Sequence, residues 1–329
     1  MKASPKILLI RFSSIGDIVL TSPVIRCIKK KYPESEIHFV TKKAFAAVVK
    51  SNPYITCTHE FNGELWPLIK QLRAEKFDYI IDLHNNLRSF FIKRFVSGKS
   101  SAFYKANTAK WLMTMFKINQ LPQTHIVERY LQAAEHLQVT NDGEGLDYFI
   151  DEKDEVDVRA KFSVMPNEYC AFVIGAKHRT KQLPAEKIIA TLKNIKTKVV
   201  LLGGHDDENL AAQIMRVDYS HVINAVGGLN LNQSASVIKQ AKNVISHDTG
   251  LMHIAAAFKK EIVSVWGNTI PAFGMAPYYG KNAVRNFQAE VKNLACRPCS
   301  KIGYSACPKK HFKCMNEQDG KAIAHFVNE

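Results

Sequence analysis

The feature that most limits how this chain folds is a repeated change of period, from a short apolar run through a polar turn into a helical run. Lys6-Ile-Leu-Leu-Ile-Arg11 leads through Phe12-Ser13-Ser14-Ile15-Gly16-Asp17 into a helix over Ile18–Lys31. Far downstream, Asn243-Val-Ile-Ser246 leads through His247-Asp248-Thr249-Gly250 into an Ala-rich helix over Leu251–Phe258. Apolar runs that do not alternate with polar residues are strands covered on both faces, which is the habit of parallel sheets. Further strands are expected at Glu36–Thr41, Tyr79–Leu83 and Ser101–Tyr104, then at Tyr169–Ile174, Lys198–Leu202, His221–Asn224 and Glu261–Val265. Helices are expected at Glu64–Glu75, Leu87–Val96, Ile126–His136, Ala185–Leu192, Asp207–Arg216 and Asn232–Gln240. Alternation of this kind gives an α/β fold with helices on the sheet faces.

At 329 residues the chain has room for two such domains. The acidic segment Asp151–Lys161 reads as the linker region between two Rossmann-like domains, residues 1–155 and 156–315, with a last helix in 316–329. In open α/β sheets ligands bind beyond the carboxyl ends of the strands, and a cleft between the domains is the default site.

Several function classes lose their support. Neither half carries Gly-x-Gly-x-x-Gly after its first strand, and Gly-x4-Gly-Lys-Ser/Thr occurs nowhere, which removes the main signals of a dinucleotide enzyme and a P-loop enzyme. Lys2, Lys6, Arg11 and Asp17 break the apolar start and argue against a membrane span or a signal peptide. Seven cysteines without a pairing pattern argue against a secreted disulfide framework, so a cytoplasmic location is expected.

The formal charge of +15 calls for an anionic partner. No helix-turn-helix, zinc-finger spacing or aromatic RNA-binding strand stands out, so nucleic acid is not expected. Between Arg88 and Lys117 seven cations stand with no carboxylate, mixed with Phe90, Phe91, Phe95, Phe103, Tyr104, Trp111, Met115 and Phe116. That mixture suits a face lying on an acidic bilayer, and equally a pair of amphipathic helices with solvated lysines.

The turns carry the chemistry. Thr249-Gly250 at a helix start leaves backbone N–H groups unpaired beside the positive end of the helix dipole, which builds a phosphate site; Asp248 or Thr249 as a mere cap fits as well. Lys177, His178, Arg179 and Lys181 stand within five residues around Thr180, past a strand end, where a lysine neutralises a departing diphosphate. Asp206, after Gly203-Gly204-His205, is placed to accept from ribose hydroxyls or to cap. Asp17 after Gly16 is a candidate general base or a helix N-cap, and Asp82-Leu-His84-Asn-Asn-Leu-Arg88-Ser89 adds a second polar cluster suited to an acidic group.

Taken in order, Ile10-Arg-Phe-Ser-Ser-Ile-Gly-Asp17, Asp82-Leu-His-Asn-Asn-Leu-Arg-Ser89, Gly175-Ala-Lys177 with Lys181, Leu202-Gly-Gly-His-Asp206 and Ser246-His-Asp-Thr-Gly-Leu-Met-His253 resemble the lipopolysaccharide heptosyltransferase family, glycosyltransferase family 9, over nearly the whole chain. The resemblance implies a GT-B enzyme: an inverting, metal-independent transferase moving a sugar, typically from ADP-heptose, to an anionic glycolipid core, with no cofactor. It implies peripheral contact with the cytoplasmic face of the inner membrane. It makes the first domain the acceptor half, the second the donor half, and returns the 316–329 helix onto the first domain. Asp17 then matches the catalytic base and Lys181 the lysine at the diphosphate, with Lys177, Thr180, Asp206, Asp248, Thr249, Gly250 and His253 around the donor. Ser14, Gly16, His84 and Arg88 fall on the acceptor side. Leu183 precedes Pro184 where many members carry Trp. Cys296, Cys299, Cys307 and Cys314, with His311 nearby, read either as a structural zinc set or as reduced thiols, and no metal is assigned.

Overall fold

The computed structural model describes residues 4–329. The chain divides into two units. The first takes the chain through Lys105, then Thr124–Phe149 and Gly280–Asn282; the second takes Ala106–Gln123, Ile150–Tyr279 and Ala283–Glu329.

In the first unit five parallel strands lie in the order β3-β2-β1-β4-β5: β1 Lys6–Ile10, β2 Glu36–Lys42, β3 Cys57–Phe61, β4 Tyr79–Asp82 and β5 Lys99–Ala102. Ile7, Leu8, Leu9 and Ile10 are wholly buried, as a strand covered by helices on both faces requires. The helix expected over Ile18–Lys31 is two, Ile15–Val19 and Ser22–Lys31. Pro23 explains the break, since its ring fits the first turn of a helix and not the interior.

The second unit holds six parallel strands in the order β11-β10-β9-β6-β7-β8: β6 Tyr169–Val173, β7 Lys198–Leu202, β8 Val222–Asn224, β9 Asn243–His247, β10 Glu261–Trp266 and β11 Asn286–Glu290. The terminal helix Gly320–Asn328 belongs to this unit. Asp319 caps it by accepting from Lys321 N and Ala322 N. Ile323, Ala324 and Val327 sit in the same apolar core as Ile188 and Leu192, and Asn243 Nδ2 donates to the Val327 carbonyl at 3.0 Å. Each such aliphatic side chain contributes roughly 1.5–3 kcal/mol by leaving water. Among the described residues no helix is long and apolar enough to cross a membrane.

Candidate functional site

Strand order decides where ligands are received. In the first sheet β1 lies between β2 and β4, so the connections leaving β1 and β4 run to opposite sides; in the second, β6 lies between β7 and β9 with the same result. The gap opened at such a reversal is where open α/β sheets bind ligands. Four of the turns singled out in the sequence follow β1, β4, β6 and β9, two at each reversal, and the fifth, carrying Asp206, follows β7.

At the first reversal, Arg11 ends β1 and is buried, with its Nε donating to the Ser13 carbonyl at 2.8 Å. Its guanidinium meets Asp17 at 2.6 Å. Asp17 stands at the third position of the helix Ile15–Val19, and its Oδ2 accepts from Ser14 N at 3.1 Å and Ser14 Oγ at 2.7 Å. The carboxylate is thus half of a capping box and half of an ion pair, while remaining partly exposed. Gly16 is buried beneath it and Ser14 is exposed. From β4, the buried Asp82 accepts from His84 N at 3.0 Å and Asn85 N at 2.6 Å, and pairs with Lys93 at 3.0 Å. Burial, with Arg11 and Lys105 nearby, holds His84 down to about 4, so its imidazole is neutral at pH 7. Its Nδ1 is buried with no hydrogen-bond partner among the described residues.

Arg88, exposed at the start of the helix Leu87–Phe95, lies over the Phe61 ring at 5.6 Å. Together they line a cavity of about 690 Å³ with Lys42, Lys43, Ala44, Asn62 and Gly63. Three cations around one aromatic face suit an anionic sugar. Lys42, Lys43 and Phe61 escaped the sequence reading because they come from the ends of β2 and β3, and β3 was not expected.

At the second reversal the cationic turn after β6 meets the helix start after β9. Lys181 Nζ lies 2.6 Å from Asp248 Oδ2, which also accepts from Thr269 Oγ1 at 2.8 Å. Asp248 is thereby a clamp that fixes the lysine beside Thr249, the N-cap of the helix Gly250–Ala257. Thr249 and Gly250 are half-buried, and Lys177 is exposed. His253 is buried within that helix. Thr180 is buried, and its hydroxyl donates to the Tyr304 carbonyl at 3.1 Å and accepts from Tyr304 N at 2.8 Å. It ties the 300s segment to the cationic turn.

Asp206 is exposed in the 3-10 turn His205–Asp207, while its neighbour Asp207 turns inward. Asp207 accepts from Gly204 N at 3.0 Å and Gln182 Nε2 at 2.8 Å. A Cβ at Gly175 would stand 2.0 Å from Asp207 Oδ2, so glycine is required there. His247, wholly buried, accepts from Leu183 N at 3.0 Å and so anchors the cationic turn to β9; burial holds it down to about 4. Beside Thr269, the amide of Asn268 is buried with no hydrogen-bond partner among the described residues. Sequence reasoning missed Asp207, His247, Asn268 and Thr269; the position of Gly267-Asn268-Thr269 at the end of β10 was the available signal.

The four C-terminal cysteines are free thiols. Cys296 Sγ lies 3.7 Å from His311 Nε2, and burial among the other three pushes Cys314 up to about 12.

Comparison with known proteins gives the family and the fold. Residues 65–304 match glycosyltransferase family 9 (heptosyltransferase). Lipooligosaccharide heptosyltransferase 2 of Haemophilus ducreyi is 27% identical over 307 residues, covering 85% of this chain and 87% of that protein. Lipopolysaccharide heptosyltransferase 1 of Escherichia coli K12 is 23% identical over 299 residues, covering 84% and 92%. Among solved structures, a glycosyl transferase family 9 protein of Veillonella parvula superposes with a TM-score of 0.78 at 20% identity, covering 99% of this chain and 97% of that one. An Escherichia coli heptosyltransferase solved with ADP gives 0.70 at 21% identity, covering 98% of each.

Proposed function

The chain belongs to glycosyltransferase family 9 and is a glycosyltransferase of GT-B fold; from that premise we propose that it transfers a heptose, with inversion, from ADP-heptose to the core of lipopolysaccharide or a related anionic glycolipid. The relatives named above are heptosyltransferases acting on lipopolysaccharide or lipooligosaccharide, and one was solved with ADP. The observation that carries the reading is the 2.6 Å pair of Lys181 and Asp248, which holds a cation at a helix start past the end of β9.

In the reaction an acceptor hydroxyl attacks the anomeric carbon from the face opposite the diphosphate. The new C–O bond forms as the bond to phosphate breaks, the hydroxyl proton passes to Asp17, and ADP leaves with the bonding pair. Negative charge then grows on phosphate oxygens, where Lys181 and the backbone N–H groups of Thr249 and Gly250 stabilise it. Arg11 aims Asp17, and the acceptor hydroxyl takes the place of Ser14 Oγ at Oδ2. Lys42, Lys43 and Arg88 hold the acidic acceptor. Lys177 and Asp206 reach the donor from their exposed turns.

Peripheral contact with an anionic bilayer is part of the proposal. Trp66, Leu87, Phe90 and Phe95 are exposed in the first unit, with Trp66 and Phe95 in edge contact at 5.2 Å; Trp111, Met115, Phe116 and Ile118 are exposed in the second. Aromatic groups this open to water beside Arg94 and Lys110 suit the headgroup layer.

The test offers the protein ADP-, GDP- and UDP-sugars with a deacylated lipopolysaccharide core and measures free nucleotide diphosphate. ADP release that needs both ADP-heptose and acceptor is expected. Release with a UDP- or GDP-sugar and none with ADP-heptose would overturn the donor; no release with any donor, alongside retained ADP binding, would favour a non-catalytic binding protein.

A further inference from the structure

Well away from the turns just described, near the amino ends of β2 and β3, three metal-ligating side chains converge. Cys57 is the register partner of His38, and His59 follows two residues on, so all three stand on one face of the two strands. One ligand atom from each lies within 4.8 Å of those from the other two. His38 Nδ1 and His59 Nε2 are 2.9 Å apart; two nitrogens on one tetrahedral ion at about 2.05 Å would be about 3.3 Å apart.

Ordinary packing does not account for the pair. A buried histidine is normally held by hydrogen bonds at its ring nitrogens. His59 is 1% exposed, its Nδ1 has no partner among the described residues, and its Nε2 faces only another imidazole. The surrounding charge also fits a dication. Glu36, on the same face of β2, comes within 3.8 Å of His38 Nε2, and Lys6 bridges Glu36 at 3.2 Å and Glu75 at 2.5 Å. Two carboxylates against one ammonium leave a local charge of about −1, and Cys57 would add a thiolate by releasing its proton to solvent as the metal binds.

We propose that His38, Cys57 and His59 bind a thiophilic divalent cation of the Zn²⁺ class, with Glu36 or a water in the fourth position. Two imidazoles and a thiolate select such an ion over Mg²⁺ or Ca²⁺, which prefer oxygen. The ion pins the edge strand β3 to β2, the two strands whose far ends carry Lys42 and Phe61 into the cation-lined cavity.

The test titrates inorganic Co²⁺ into the reduced full-length protein under anaerobic conditions and follows absorbance. A thiolate-to-cobalt charge-transfer band with intense tetrahedral visible bands is expected, reversed by Zn²⁺. Cys57→Ser should abolish the charge-transfer band, and His59→Asn should weaken binding roughly 10-fold or more. A variant with Cys296, Cys299, Cys307 and Cys314 all changed to Ser should keep the band. Far-UV circular dichroism of Cys57→Ser, a conservative change at a half-buried site, checks that the fold survives. A band that persists in folded Cys57→Ser and vanishes in the four-serine variant overturns the assignment, as does the absence of any band in the unmodified protein.

Discussion

The two sheet reversals hold the same pair of groups in opposite roles. After β1 the cation, Arg11, is buried and the carboxylate of Asp17 is partly exposed; after β9 the carboxylate, Asp248, is gripped by both Lys181 and Thr269. Each reversal spends one member of the pair on holding the other. What remains available is a carboxylate at one and a cation at the other, which are the two charges a sugar transfer needs.

The strongest way to break that comparison is Asp17→Asn, which keeps the shape and an oxygen for Ser14 and removes the proton acceptor. The expected loss is about 10²–10⁴-fold in kcat with the ADP-induced rise in Tm unchanged. Activity within a few-fold of the unmodified enzyme would reduce Asp17 to a capping residue. Next comes Lys181→Ala, expected to lower kcat/KM by about 10²–10³ and to weaken ADP as well, with Lys181→Arg recovering part of both. If ADP affinity and turnover are unmoved, the two reversals are not complementary.

A third contrast lies in the buried histidines, His84 at one reversal and His247 at the other. Both have folded pKa values near 4 against an ordinary 6.5. The unfolded chain therefore binds more protons between those limits, so stability is full above about pH 6.5 and falls as pH drops toward 4, by up to about 1.4 kcal/mol per pH unit for each. His247→Ala also strands Leu183 N, at a cost of about 1–3 kcal/mol, whereas His84 accepts no such bond. Denaturant unfolding across pH should show a shallower acid slope in either variant and a lower midpoint at neutral pH for the His247 change. Equal midpoints would show that His247 does not anchor the turn. The smallest effect is expected from Trp66→Ala with Phe95→Ala: several-fold weaker sedimentation with anionic vesicles and unchanged rates on a soluble acceptor. Undiminished sedimentation would remove that patch from the proposed membrane face.

Legibility in the sequence followed position in the sheets. Interior strands such as Ile7–Ile10 and Val244–Ser246 announce themselves because both faces must be apolar. Of the four edge strands, β3, Cys57-Thr-His-Glu-Phe61, and β11, Asn286-Phe-Gln-Ala-Glu290, are half polar and passed unread, while β8 was read and β5 was placed two residues late. The terminal helix could be read from its apolar stripe, but a stripe says that a face is buried and not against which domain. In the site, Asp17, Lys181 and Asp248 were visible as charges at strand ends. Thr269, Asp207 and His247 were not, since each matters through a residue at least twenty positions away that only the fold brings near.

The 2.0 Å approach of Asp207 to the place where a Cβ would stand on Gly175 has a consequence for anyone exchanging parts between such proteins. The turn after β6 and the turn after β7 share one volume, so neither can be transplanted alone. A donor-specificity graft that brings alanine or serine to 175 pushes the Asp207 carboxylate off Gly204 N unless residue 207 changes in the same exchange, so the two positions are best varied together.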